Sequence, residues 1–249
     1  VGGRRWRYVT DGVTRVHAAE CSTASSVVVS GSYLAVTGVF SFDRCKFYER
    51  GQADLQPFFT FHPWLDLRLV PAIAMRLWAE ERKSGTIELL LTLPVTMWQA
   101  VLGKFLAAWV FLGIALALTF PMWLTVAYLG APDHGVIVAS YIGSWLMAGA
   151  YLSVGACISA LTKNQVIAFV ATLVVCLLFT LAGFPLVLDA FSGWAPVGLV
   201  ELVSSLSFLS HFQAISKGVL AANDLVYFIV VITAWLVAGA MLIDLKKAE

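Results

Sequence analysis

Apolar residues run almost without interruption through residues 105–129, 136–161 and 166–188, and again through 225–243. A helix that rises about 1.5 Å per residue needs about 20 mostly apolar residues to cross the hydrocarbon of a bilayer. The first three runs meet that length, and the fourth is only slightly shorter. Small residues thread through them (Gly113; Gly143, Gly149 and Gly155; Gly183; Gly239), as expected where helices pack closely in lipid. None shows the two-residue alternation of a barrel strand, so the pattern predicts a bundle of membrane-spanning helices. Two weaker runs complete the count. Residues 27–42 are short and diluted by Ser30, Gly31, Ser32 and Thr37, while residues 57–78 have the length but carry His62, Asp66, Arg68 and Pro71. Each mid-span charge costs about 2.5–3.5 kcal/mol on insertion scales. With both counted, the expectation is six spans.

Composition agrees with lipid as the solvent. Of 249 residues, 60% are hydrophobic and 12% charged, with a mean hydropathy of +0.85, whereas a soluble domain carries about twice that share of charge. The net charge of +1 comes with no basic stripe and interleaved aromatics, so no nucleic-acid partner is expected. Cys157 and Cys176 lie inside apolar runs and read as small buried hydrophobes. With Cys21 and Cys45 they form no metal-ligand spacing and no disulfide framework. No signal peptide is visible. Residues 1–26 are polar and rich in Ser, Thr and Arg, unlike everything after Phe47. That divides the chain into an atypical segment, 1–46, with the weak first span, and a transmembrane domain, 47–249. The first part is expected either to lack its natural start or to have a different origin.

Orientation follows from Lys and Arg near the span ends. Arg76, Arg82, Lys83 and Lys104 surround the second-to-third connection, Lys163 sits in the fourth-to-fifth turn, and Lys246 and Lys247 follow the last span. The alternate connections hold Asp133 and His134, then Asp189, Glu201, His211, Lys217 and Asp224. The first group is therefore expected on the cytoplasmic face, with both termini.

The segment 79–104, AEERKSGTIELLLTLPVTMWQAVLGK, carries the most specific pattern. Glu80, Glu81, Arg82 and Lys83 form a charge cluster, and Gly85 breaks the chain direction. A short helix over residues 86–93, about 12 Å long, follows. Its Glu88 lies in the first turn, where a carboxylate suits the positive helix end, and Pro94 stops it. Ile87, Leu90 and Leu91 share one face at i, i+3 and i+4. A cytoplasmic helix too short to span either lies in the membrane interface or docks on another protein.

That segment resembles the signature of ABC-2 type permeases: an acidic pair, a basic residue, Gly-Thr, an acidic residue in a leucine-rich turn, then proline. Within that family it is most similar to permeases of gliding-motility and nitrous-oxide-reductase maturation transporters. The words FYERGQADLQPFFTFHPWL (47–65), RLWAEERKSGTIELLLTLPV (76–95), LTKNQVIAF (161–169) and DLKKAE (244–249) extend the likeness over about residues 47–249. The resemblance implies an all-α integral membrane fold: a six-helix bundle with a short cytoplasmic coupling helix and short external helices between the last two spans. It implies that Glu80, Glu81, Arg82, Gly85, Thr86, Ile87, Glu88, Leu90, Leu91 and Pro94 contact a separate ATP-binding subunit that holds ATP and Mg. The role of these residues is then docking and force transmission. It further implies a second permease subunit, identical or not, a bacterial cytoplasmic (inner) membrane location, and export driven by ATP hydrolysis on the partner. Residues 191–220 fit the external helices, with Trp194, Leu199, Val203 and Phe208 on an apolar face turned back towards lipid.

Two features depart from the family pattern. Asp66 and Arg68 interrupt the second span. Two residues apart, they point to opposite sides of a helix. They either line a substrate pathway or are tolerated beside a wet interior or in a displaced helix. The region before Phe47 lacks the expected apolar first span. Rival functions leave weaker traces. Gly103-Lys104 is followed by Phe105, and Trp98 stands where a P-loop has its first glycine, so this chain is not expected to hydrolyse ATP. There is no H-E-x-x-H or G-x-S-x-G for proteolysis, and His17, His62, His134 and His211 are scattered over separate segments. His62, beside Pro63 and Trp64, reads as an interfacial anchor. A secondary transporter or channel would use the Asp66/Arg68 span; a membrane scaffold would leave residues 80–94 without a role.

Overall fold

The computed structural model describes residues 31, 38, 55–85, 97–130, 132–192, 197–219 and 221–245. Among them lie α1 (Gln56–Ser84), α2 (Met97–Ala117), α3 (Phe120–Leu129), α4 (His134–Leu161), α5 (Gln165–Leu181), α6 (Pro185–Ser192), α7 (Val197–Ser205), α8 (Phe208–Ser216) and α9 (Ala222–Leu245), and no strand. Among the described residues three helical stretches are long and apolar enough to cross a membrane: residues 97–128, which join α2 and α3, then α4, and α9. The apolar α5 is shorter, at 17 residues. Helix α1 has the length, at 29 residues, but keeps its internal charges. The weak run 27–42 lies outside the described residues except for Gly31 and Gly38, both helical.

Helix α4 is the axis. From Leu146 to Ala160 every residue is buried, which requires an all-round apolar or small surface. The sequence supplies one, with Gly149, Ala150, Ser153, Gly155, Ala156 and Ser159. Side-chain contacts fix how its neighbours run. Phe59 meets Tyr141 edge to face at 5.2 Å, Gly155 lies against Ala74, and Ser159 reaches Trp78, so α1 runs parallel to α4. Gly149 lies by Ile232 and Gly239 by Cys157, so α9 is parallel too. Tyr151 bonds to Thr180 at 2.7 Å while Gly155 faces Thr172, so α5 is antiparallel.

Helix α2 is joined antiparallel by a reciprocal tryptophan pair. Trp109 Nε1 donates to the Trp145 carbonyl at 3.0 Å and Trp145 Nε1 donates to the Trp109 carbonyl at 3.3 Å. The two rings stack with centroids 4.3 Å apart and planes 9° from parallel. Each indole also occupies the space of the other helix's glycine. A Cβ on Gly113 would lie 2.8 Å from Trp145 Nε1, and one on Gly149 would lie 2.6 Å from Trp109 Nε1. The same word, Trp-x-x-x-Gly, therefore stands on both helices, at 109–113 and 145–149. Backbones this close suit helix association in lipid, where packing and hydrogen bonds replace hydrophobic drive.

The boundaries refine the expected spans. The run 105–129 is one apolar stretch but two helices, because Pro121 has no N–H to continue the ladder. At the break, Thr119 Oγ1 donates to the Leu116 carbonyl at 2.6 Å and meets the Tyr141 hydroxyl at 3.0 Å. The run 166–188 likewise divides at residues 182–184, before Pro185 opens α6. Helix α8 differs most from expectation. It lies along the first half of α4, where Gly143 makes room for Ile215 and Phe212. Phe208, expected on a lipid-turned face, is fully buried against Tyr151, Phe179 and Phe228. The aromatic partners on α4, α5 and α9 draw it inward. Val203 is half-buried, while Trp194 and the Leu199 side chain lie outside the described residues.

Gly149→Ala is expected to cost about 1–3 kcal/mol by overpacking, read as a lower midpoint of unfolding of the purified protein. Gly103→Ala, where a Cβ meets open space, is expected to be neutral or to gain up to about 1 kcal/mol of helix propensity. Equal effects of the two would contradict the tryptophan–glycine account.

Candidate functional site

The charge cluster predicted to begin the functional segment forms the last turn of α1. The helix stops where the sequence places a glycine: Gly85 adopts φ 74°, the left-handed conformation that suits a residue with no Cβ. Beyond it, Thr86, Ile87, Glu88, Leu90, Leu91 and Pro94 lie outside the described residues, which resume at Met97. The structure thus describes the two flanks of the segment.

Those flanks are tied together. The Glu81 carboxylate pairs with the Lys104 ammonium of α2. The same ammonium donates to the Leu77 carbonyl at 3.0 Å and stands 4.2 Å over the Trp78 ring. A cation held over an indole and partly out of water gains from the negative ring face. Arg82 crosses to the other side and donates through Nη1 to the Ala160 carbonyl, in the last turn of α4. A helix leaves its final carbonyls without intrahelical donors, and its C-terminal end favours a cation. Glu80 and Lys83 are exposed. Three helix ends, those of α1, α2 and α4, therefore meet through two basic side chains.

One turn deeper, Ser159 of α4 is inserted against α1. Its hydroxyl donates to the Met75 carbonyl at 3.1 Å and accepts from the Trp78 and Ala79 amides at 3.1 and 3.0 Å. Met75 and Ala79 are the i, i+4 partners of an α-helical ladder, so the serine bridges a backbone pair of another helix. Insertion of this kind marks places where helices bend. Sequence reasoning used Lys104 for orientation and to exclude a P-loop, and passed over Ser159. A lone serine in an apolar run has no signature; its register against α1 is what gives it a role.

Asp66 and Arg68 part company as the two-residue spacing predicts. Asp66 is buried and Arg68 exposed. Asp66 Oδ2 instead lies 3.7 Å from His62 Nδ1, one helical turn back. His62 is 1% exposed, which overturns its reading as an interfacial anchor. It packs against Phe58 at 5.2 Å and Phe59 at 6.0 Å, and Phe59 is seated on Tyr141, so that face of α1 points into the bundle. Cys157 and Cys176 are buried free thiols, and no group of metal-ligating residues occurs among the described residues.

A family model described as ABC-2 family transporter protein matches residues 20–245. No curated protein matches the chain.

Ser159→Ala leaves the Met75 and Ala79 groups without that partner and is expected to cost about 1–3 kcal/mol. Ser84→Ala removes an exposed hydroxyl bonded to the Glu80 carbonyl of its own helix, and is expected to change stability by less than about 0.5 kcal/mol. Unfolding midpoints of the two variants test the bridge.

Proposed function

This chain belongs to the ABC-2 family of transporter proteins, and on that premise we propose that it is the permease half of an ATP-driven exporter, docking a separate ATPase through residues 80–94. Family membership makes it an all-α, multi-pass membrane component of an ABC transporter. The finer reading adds two copies of such a permease, identical or not, with two ATPase subunits in a bacterial inner membrane. The end that carries Arg82 and Lys104 faces the cytoplasm, following the Lys and Arg distribution.

The observation that carries the proposal is the junction of three helix ends. A segment bridging α1 and α2 can act on the bundle only if its flanks are held to something stiff. The Glu81–Lys104 pair holds the two flanks to each other, and Arg82 with Ser159 holds α1 to the buried α4. Closure of an ATPase pair would then push on residues 86–93 and tilt α1, α2 and α4. Glu81 and Arg82 serve this junction from inside, whereas Glu80, exposed, is free to face the ATPase. For a pathway role of Asp66 and Arg68, the burial of one and the exposure of the other put them on different sides of α1.

Purification from native membranes in mild detergent is expected to bring down a stoichiometric P-loop ATPase. Replacing Glu88 and Leu90 by Ala, or deleting residues 86–93, is expected to cut its recovery at least about tenfold, the scale of an interface hot spot, with membrane insertion unchanged. Full transport-coupled ATPase activity in the deletion variant would refute the coupling role. Recovery of the wild-type chain with no ATPase would favour a secondary transporter or channel using the Asp66/Arg68 span.

A further inference from the structure

At the end of the bundle away from Arg82, His211 has acceptors at both ring nitrogens. Nδ1 lies 2.6 Å from Asp224 Oδ1 and Nε2 lies 3.0 Å from the Ser205 carbonyl oxygen. A backbone carbonyl never donates, so Nε2 carries hydrogen. The 2.6 Å contact to the carboxylate needs a second proton, wherever between Nδ1 and Oδ1 it sits. Neutral imidazole facing an ionised carboxylate has one proton too few for both contacts. The two contacts together therefore need two protons on the pair, and two surroundings suit a cationic ring. The ring stacks on Tyr227 with centroids 3.9 Å apart and planes 22° from parallel. Its Nε2 contact is to the last residue of α7, where unpaired helical carbonyls attract a cation. The Tyr227 hydroxyl takes the neighbouring carbonyl, donating to Leu206 at 2.5 Å.

We propose that His211 is a proton-binding site: when occupied it locks the α7–α8 segment onto the first turns of α9, and when emptied it releases that segment. The proposal is independent of the ATPase reading. Asp224 is the charged group and Tyr227 the titratable one that face His211 from α9. Helix α7 offers carbonyls, its Glu201 being exposed. Helices α4 and α5, also packed on α8, carry the buried hydroxyls of Ser140, Ser144, Tyr151 and Thr180, and α1, which touches α8 too, carries the buried pair His62 and Asp66. On α8 itself Lys217 caps the C-terminal end and is exposed. Asp224 is thus the one charge among the described residues that opposes His211 directly. Loss of one proton leaves a lone pair on Nε2 facing the Ser205 carbonyl, or one on Nδ1 facing the carboxylate. Either breaks one side of the lock. The sign is fixed: the segment is held at low pH and freed as pH rises.

The test is amide hydrogen exchange of α8 in the full chain in lipid nanodiscs, at about pH 5.5 and about pH 8.5, either side of the ordinary histidine range. Exchange times are scaled for the chemical rate. Protection of α8 is expected to fall by about tenfold or more at the higher pH, the scale of a cation's contribution at a helix end, while the second half of α4 is unchanged. In Asp224→Asn the side-chain amide can donate to Nδ1 and leave Nε2–H for Ser205, so protection should stay high at both pH values. No step in the wild type, or the same step in Asp224→Asn, would overturn the proposal. Should that variant not fold, ¹⁵N-histidine NMR of the wild type decides. One of the two ring nitrogens of His211 must lose its proton over the interval in which α8 protection falls, and protons retained on both throughout would sink the idea.

Discussion

The contact that the rest of the bundle depends on is the near-approach of helix backbones to α4. In lipid, burying apolar surface between helices gains little, since the acyl chains are as apolar as leucine; packing and interhelical hydrogen bonds have to serve. Both need short distances, and short distances need small residues. Gly143, Gly149 and Gly155 recur every six residues along α4, and each is occupied by a side chain of a different element: Ile215 of α8, Trp109 of α2, and Ala74 of α1 with Thr172 of α5. Filling any one of these positions would push its neighbour outward and separate the polar contacts made beside it. The hydroxyl of Ser159 can reach the α1 backbone only because Gly155, one turn earlier, lets Ala74 approach.

How far the sequence could be read follows from the same physics. Long apolar runs report exclusion from water, and those at 136–161 and 225–243 correctly gave helices. They do not report whether a residue faces lipid or protein. Helix α4 is buried over its second half, while α9, no less apolar, exposes Val226, Ile229, Val230 and Met241. The stop at Gly85 was legible because left-handed backbone has a residue preference of its own. The split at Thr119 was marked by Pro121, yet a run of apolar residues on both sides disguised it. His62 was misread because its neighbours Pro63 and Trp64 suggest an interface, whereas Phe59 and Asp66 turn its face of the helix inward. Roles such as those of Lys104 and Ser159 depend on the register between helices some 80 residues apart or more than 20, and nothing local encodes that.

The two ends of the molecule are built on opposite plans. At one, Arg82 and Lys104 are held by carbonyls, a carboxylate and an indole. At the other, the bond network turns on a histidine, whose charge is conditional. Helix α8, seated along α4 by Gly143, is secured by packing along its length and by an ionic contact near its first turn.

The reciprocal indoles have a mechanical consequence. Two hydrogen bonds of opposite polarity between Trp109 and Trp145, with the rings stacked, oppose sliding along the helix axes in both directions and rotation about either one. Ser159 does the same for α1. Three of the long helices are thus welded at two depths, like beams joined by a bolt and a dowel. A displacement of α1 against α2 would therefore have to be shared by α4, to which both are bonded.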